Sequence, residues 1–339
     1  MIALDGIIFS IQKYGGISVY FNQLIKYLGE HDVANIVYLE NPLKQKLNPS
    51  SNFVNREARF FERYMDCRLD EKPSVFHSSY YRKPSKSYVP SVVTVHDFIY
   101  EKYQSGAKKW VHSLQKFSSI RSAEAIICIS ESTKNDLLEF VEGVETKKIH
   151  VIHNGVSNVF RRLGASTSSR PYVLFVGQRS GYKNFNLILA TMTYLPDFEL
   201  RCVGGGDIRP DELDGLSQSV VDRVRHLGFV LDEQLNDLYN HATCLVYPSS
   251  YEGFGIPVIE AMKAGCPVVC VDCKAVLEVG MDALSVVYDG DPKTMANAIL
   301  NTLSSSRANL IGRGLAVAQG YSWNITHRQT LDIYRSLGA

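Results

Sequence analysis

Short apolar runs alternate with longer amphipathic ones along the whole chain, and this alternation restricts the fold more than any other feature. In the first half the apolar runs are residues 2–9, 36–39, 91–95, 125–129 and 149–152. A second series follows at 172–176, 199–203, 224–229, 244–247, 267–271 and 285–288. Runs of this length read as strands buried on both faces. Between them apolar residues return at the helical period, as in Ile17, Tyr20, Phe21, Leu24, Ile25 and Leu28, which form one stripe. The same period predicts helices over 107–122, 131–141, 184–195, 233–241, 293–303 and 323–336. Strand–helix alternation means parallel sheets covered by helices, an α/β architecture.

The chain has 339 residues, more than one ordinary core holds. LGASTSSRP at 163–171 is small, polar and ends in proline, so it predicts a linker over 164–171. That linker divides a domain over 1–163 from one over 172–322. The expectation is two doubly wound, Rossmann-like domains facing each other, with ligands at the carboxyl ends of the strands in the cleft between them.

Composition excludes some functions. Thirty-six basic against 35 acidic residues leave a net charge of +1, which argues against a dedicated nucleic-acid partner. No basic stretch precedes the first apolar run and no small-residue cleavage site follows it, so it reads as a strand rather than a signal peptide. No run of 18 apolar residues exists to span a membrane. Seven scattered cysteines, an odd number, suit reduced thiols in a cytoplasm. Charge is uneven over 82–121. There Arg82, Lys83, Lys86, Lys102, Lys108, Lys109, Lys116 and Arg121 face two acids, Asp97 and Glu101, among interleaved aromatics. This segment reads either as a solvated face or as a patch for an anionic membrane or lipid-linked substrate.

The richest stretch is SSYEGFGIPVIEAM, residues 249–262. Pro257 lacks an N–H and has a helical φ, so it suits a first helical turn. Gly253 and Gly255 let a ligand approach the backbone. Glu252 then lies in a loop, and Glu260 in the first turn of a helix over 256–264. The amides between them, Gly253, Phe254, Gly255 and Ile256, form an anion site at the positive end of a helix dipole. A carboxylate on each side can accept hydrogen bonds from hydroxyls flanking a bound diphosphate. The alternative is that Glu260 complements the dipole and Glu252 is solvated. In VLFVGQRSGYK, 173–183, a strand runs into a glycine, Arg179 and Lys183. Two fixed cations there can stabilise a diphosphate leaving group, or be surface charges only.

In the first domain Gly15 and Gly16 open the helix over 17–28, as a phosphate-cradling turn or a plain tight one; the full G-x-G-x-x-G is missing. VVTVHD, 92–97, is a buried strand ending in His96 and Asp97. His96 can donate to a sugar hydroxyl, and Asp97 can orient a hydroxyl or take its proton. A structural His–Asp pair is the other reading. No metal or cofactor is expected. Cys266, Cys270 and Cys273 have cluster-like spacing, but Cys270 is inside the strand PVVCV. Asp289 and Asp291 form a D-x-D, yet Pro292 makes Asp291 a helix N-cap.

Together these residues resemble the retaining glycosyltransferases of the GT-B fold, specifically glycosyltransferase family 4. The resemblance is carried by E-x₇-E from Glu252 to Glu260 within YEGFGIPVIEAMKAGCPVV, and by VGQRSGYKN. The Gly-Gly turn, TVHD followed by ICISESTKNDL, and the ending YSWNITHRQTLDIYRSL support it. It implies that Arg179 and Lys183 hold the donor diphosphate, Glu260 the nucleotide ribose and Glu252 the transferred sugar. The backbone of 253–256 would meet sugar and phosphate. Gly15 and Gly16 would lie against the diphosphate, and His96 would contact the donor sugar. Residues 323–339 would form a helix crossing back to the first domain. His96, Asp97, Arg179, Lys183 and Glu252 are the expected catalytic set. In this family the acceptor attacks the face the leaving group departs from, and the diphosphate helps remove its proton. No protein nucleophile is then needed. Two departures stand out: CKAVLEVGMDAL, with Glu278, replaces a Pro-Glu turn, and 180–182 reshapes the Arg–Lys turn.

The resemblance implies a cytoplasmic enzyme on the inner face of the cytoplasmic membrane. It would move mannose from GDP-mannose to a lipid-linked saccharide in surface polysaccharide assembly, with dTDP-rhamnose or a UDP-sugar as alternative donors. The same architecture also serves sugar-nucleotide epimerases, and a non-catalytic nucleotide-sugar sensor is a third reading. The complete set Glu252, Glu260, Arg179 and Lys183 argues against the sensor.

Overall fold

Where apolar runs are flanked by helical stripes, strands form and helices cover them. The computed structural model describes residues 1–12, 15–42, 52–164, 170–179, 181–304 and 306–339, without the Lys108 side chain. They divide into two units, Met1–Gly155 with Trp323–Ala339, and Val156–Ser322. The changeover at Gly155 precedes the 164–171 segment, of which 165–169 lie outside the described residues.

In the first unit the strands are β1 (Ile2–Asp5), β2 (Asn35–Glu40), β3 (Asn52–Arg56), β4 (Val75–Ser78), β5 (Ser91–Val95), β6 (Ala125–Cys128) and β7 (Ile149–Val151). They make one parallel sheet in the order β3-β2-β1-β4-β5-β6-β7, so the winding direction reverses between β1 and β4. Its helices are α1 (Ile8–Ile11), α2 (Gly16–Glu30), α3 (Ile99–Tyr103), α4 (Gly106–Ser122) and α5 (Glu131–Phe140). Buried Tyr20, Phe21, Leu24, Ile25 and Leu28 of α2 share a core with Leu4, Val75, Val92 and Ile127 of the sheet. Trp323, Leu331, Ile333 and Tyr334 complete that core from the far end of the sequence.

The second unit has β8 (Tyr172–Val176), β9 (Glu199–Val203), β10 (Val224–His226), β11 (Cys244–Tyr247), β12 (Val268–Val271) and β13 (Leu284–Val287). This sheet is also parallel, in the order β10-β9-β8-β11-β12-β13, with its reversal between β8 and β11. Covering it are α6 (Phe185–Thr191), α7 (Gln218–Val221), α8 (Asp232–His241), α9 (Ile256–Lys263), α10 (Lys274–Gly280), α11 (Pro292–Asn301) and α12 (Arg307–Ala318). The last helix, α13 (Trp323–Ser336), belongs to the first unit and packs on α2.

Some expectations need correcting. The run over 2–9 is strand only to Asp5. Gly6 passes so close to Tyr38 and Leu39 that a Cβ would sit 2.5 Å from both, and the chain then turns into α1. The run over 224–229 stops at His226, and Phe229 is exposed. Strands β3 and β4 and helices α1, α3, α7, α10 and α12 were not anticipated. The N-cap expected at Asp291 is present, its carboxylate accepting from the Thr294 amide at 2.8 Å.

Candidate functional site

Strands β8 and β11 flank the reversal of the second sheet, the place where open α/β sheets bind ligands. The loops that follow them carry the E-x₇-E and Arg–Lys motifs, and they are stitched together. The Ser250 amide donates to the Tyr182 carbonyl at 2.9 Å, and Asn184 Nδ2 to the Pro248 carbonyl at 2.9 Å. Across the seam Lys183 Nζ donates to Glu252 Oε1 at 2.5 Å, above the Tyr247 ring at 5.4 Å. Both side chains of this pair are about nine-tenths buried. Gly255, in the left-handed region at φ 107°, starts α9, with Pro257 in the first turn and no side chain capping the first amides.

Glu260 departs from the expected placement. It is the fifth residue of α9, and no acid occupies the first turn. Its Oε2 accepts from the Tyr239 hydroxyl at 3.0 Å. The protein packed around this carboxyl pushes it up to about 8, and nearby Asp232 adds to the rise. The Phe254 side chain points into the core, edge-on to Tyr321 at 5.7 Å, so only its backbone faces the loop. Ile256 is the first residue of α9 and Gly253 is buried in the loop before it.

Arg179 is fully engaged. Its Nε donates to Glu212 Oε1 at 2.9 Å, and Nη1 to the Gly204 carbonyl at 3.1 Å. Nη2 reaches the Gly206 and Asp207 carbonyls at 2.9 and 2.7 Å. Ser180, in the turn between Arg179 and Lys183, lies outside the described residues.

In the first unit Gly15 is the N-cap of α2 and Gly16 its first residue, again with no side-chain cap. His96 and Asp97 stand just past β5. His96 is buried, edge-on to Tyr20 at 5.4 Å, and its Nε2 has no partner. Burial, helped by the Lys116 charge, holds its imidazole down to about 3. Asp97 Oδ1 accepts from the Ile99 amide at 3.0 Å, and burial raises its pKa. The Asp97 carboxylate is thus engaged by its own turn, while His96 Nε2 stays without a partner. Not every cation of the segment over 82–121 faces outward. Arg82 is buried among Glu40, Glu62 and Asp5 at 3.3, 3.4 and 3.7 Å, and Lys116 is buried against Glu101 at 3.0 Å. Among the described residues no group of histidines, cysteines and carboxylates gathers as a metal site.

Two family models tile this chain. "Glycosyltransferase Family 4" matches residues 14–158, and "Glycosyl transferases group 1" matches residues 170–305. The chain belongs to glycosyltransferase family 4. It is therefore a retaining glycosyltransferase that depends on a nucleotide-sugar donor. Its fold is GT-B: sucrose-phosphate synthase from Thermosynechococcus elongatus superposes with a TM-score of 0.80 at 22% identity, covering 99% of this chain and 98% of that one. Among relatives, α-maltose-1-phosphate synthase of Mycobacterium tuberculosis is 28% identical over 74% of each chain. O-antigen chain mannosyltransferase B of Escherichia coli is 28% identical over 79% of this chain and 76% of its own.

Within this family 4 enzyme the structure adds residues around the second unit's motifs that sequence reasoning missed. Gly204, Gly205 and Gly206 follow β9 with φ of 79°, 77° and 74°, and wrap Arg179. Glu212 and Tyr239 hold Arg179 and Glu260 respectively. Three glycines directly after an apolar strand were a readable signal. Glu212 and Tyr239 left none, because each meets its partner only through the fold.

Proposed function

We propose that this glycosyltransferase moves mannose from GDP-mannose, with retention, to a lipid-linked saccharide during surface polysaccharide assembly. The observation that carries the donor site is the Lys183–Glu252 pair at 2.5 Å, in the loops beside the uncapped start of α9. Lys183 turns to the diphosphate when the donor arrives, and Glu252 is released to accept hydroxyls of the transferred sugar. Glu260 takes the ribose hydroxyls. Amides from Gly253 to Ile256 meet the phosphate, and Gly15 and Gly16 offer a second set at the start of α2. Arg179 works at one remove, by shaping the glycine loop after β9. His96 Nε2 makes one hydrogen bond to a sugar hydroxyl, and Asp97 orders the turn that carries it. The diphosphate helps take the acceptor proton. Similarity to an O-antigen chain mannosyltransferase supports mannose as the sugar.

A lipid-linked acceptor calls for a membrane-facing surface, and α4 suits one. Its sequence contains no acid, and Trp110, Val111 and Leu114 are exposed on it. Phe60 and Phe61 are exposed nearby in sequence to Arg63, whose carbonyl accepts from Gln115 Nε2 of α4 at 2.7 Å. Exposed apolar side chains on a basic helix are the mark of a helix lying in a lipid interface. Among the described residues no helix is long and apolar enough to cross a membrane.

A second reading has a specific basis. The equal similarity to α-maltose-1-phosphate synthase favours a phosphorylated sugar among the reactants in place of a lipid. Thermal shift with GDP, UDP and dTDP reads the base: a ligand at 100 times its dissociation constant adds about 2.7 kcal/mol. Sugar transfer is then measured with anionic liposomes carrying lipid-linked saccharide, and with soluble sugar phosphates. The largest shift with GDP and transfer only to the lipid support the proposal. A UDP preference or transfer only to sugar phosphates overturns it.

A further inference from the structure

One buried cation holds the end of β5 from behind. Past Val95 the chain leaves the strand ladder, so its next peptide groups need other partners. Lys116 of α4 supplies one. Its Nζ donates to the Asp97 carbonyl at 2.6 Å and to Glu101 Oε2 at 3.0 Å, and lies 3.5 Å from the centre of the Phe98 ring. Glu101 is held in turn by Ser113 Oγ at 2.9 Å. The Asp97 carboxylate is engaged by the Ile99 amide. Nε2 of His96, on a side chain only 7% exposed, is buried without a hydrogen-bond partner, as is Nδ1 of His112 beside the Glu101 carboxylate.

Stability alone is a weak reason for such an arrangement. Burying a Lys–Glu pair gains little over apolar residues of the same volume, because desolvation offsets the attraction. A Lys buried to 0% exposure, aimed at a backbone carbonyl beside a substrate-contacting histidine, fits a different purpose.

We propose that Lys116 is a positioning residue for glycosyl transfer: by gripping the Asp97 carbonyl it fixes the turn that presents His96 Nε2 to a substrate hydroxyl. This rests on the reading of His96 given above. Lys116 touches no substrate and acts only through the turn. Its charge also opposes protonation of the ring, in the same direction as burial.

The test uses the full chain with Lys116→Met and Glu101→Gln together, which removes both charges and leaves no orphaned carboxylate. The expected result is an unchanged dissociation constant for GDP with kcat lowered roughly 10²-fold, the size of a small misplacement at a reacting centre. Adding His96→Asn lowers kcat no further than His96→Asn does alone, since both routes remove one hydrogen bond. If that variant does not fold, Glu101→Gln alone, which loosens the Lys116 anchor, is taken through the same cycle with a smaller expected loss. Wild-type turnover in the folded variant, or losses that multiply with His96→Asn, overturns the inference. Wild-type turnover in His96→Asn by itself overturns instead the reading of His96 on which the inference stands.

Discussion

Lys183 and Glu252 satisfy each other at 2.5 Å from positions 69 apart in sequence. On the proposed mechanism Lys183→Ala removes a charge that matters most as the diphosphate leaves. We expect kcat to fall by about 3–4 kcal/mol, a few hundred-fold, the effect of losing one preorganised electrostatic contact. Steady-state kinetics check this, and near-normal turnover would remove Lys183 from that role. Glu260 makes a different prediction. Burial raises its carboxyl to about 8 from 4.5, so in the free protein it is mostly protonated at neutral pH. Ribose hydroxyls would donate to the ionised form, so binding would release a proton. Nucleotide affinity should then rise with pH up to about 8 and flatten, and Glu260→Gln should abolish the slope, as titration calorimetry in buffers of different ionisation heat would show. The raised pKa also has a stability sign: the folded state holds the extra proton, so this group's destabilising effect grows between pH 4.5 and about 8. The E-x₇-E pattern made both glutamates visible beforehand. Their partners Lys183 and Tyr239 were not visible as partners, because pairing across 69 and 21 residues is decided by which loops and which helices the fold brings side by side.

At the scale of elements, strand identity was legible where burial is two-sided and lost where it is not. β5 and β8, with almost every residue buried, stand where their apolar runs predicted. β3, NFVNR, is an edge strand with no fully buried residue, and its polar sequence carries no strand signal. β4, VFHS, ends in a histidine and a serine that are both buried, so its polar end hides the strand. His77 there is bonded to Thr94 at 2.8 Å and to Tyr334. Helix α12 hides its period behind Gly312 and Gly314. The glycine loop after β9 gives the prediction at this scale. A Cβ at Gly205 would meet Arg179 Nη1 at 2.8 Å and the Gly177 carbonyl at 2.9 Å, whereas at Gly206 nothing lies within 4 Å. Both have positive φ, so either substitution by alanine costs about 1 kcal/mol of backbone strain. Gly205→Ala should cost about 1–3 kcal/mol more through overlap. Thermal melts of the two variants separate the terms, and equal midpoints would show that the loop yields freely.

Across the whole molecule, acid should not act evenly. Burial holds His77, His96 and His327 down to about 3 from 6.5, and all three lie in the first unit. The unfolded chain binds these protons and the folded chain does not, so stability falls as pH drops from 6.5 towards 3. Glu62 and Glu101, lowered to about 2 by their hydrogen bonds and cationic neighbours against the pull of burial, lose further stability in acid. Asp5, raised to about 6 by burial, and Asp97, also raised by burial, oppose the trend but are two groups against five. In the second unit the raised Glu260 stabilises in acid. Limited proteolysis near pH 4.5 should therefore cut the first unit while a fragment close to 156–322 survives. Simultaneous loss of both would show that the units unfold as one. The overall architecture was readable early, because strand–helix alternation and its interruptions recur along the chain. The composition of the first unit was less so: α13 joins it from the far end of the sequence, through side chains such as Trp323 and Tyr334.

That return of the chain has a consequence for how the protein is made. Residues Val156–Ser322 form a self-contained piece whose contacts are complete before the last helix leaves the ribosome. The first unit, although synthesised first, waits for its final layer: Leu331, Ile333 and Tyr334 close a core begun by Ile2 and Leu4. During synthesis the older half of the chain is thus the less finished one. A stop codon a few turns early would leave the younger half intact and the older half open, so chaperone demand and degradation should concentrate on the end that was translated first.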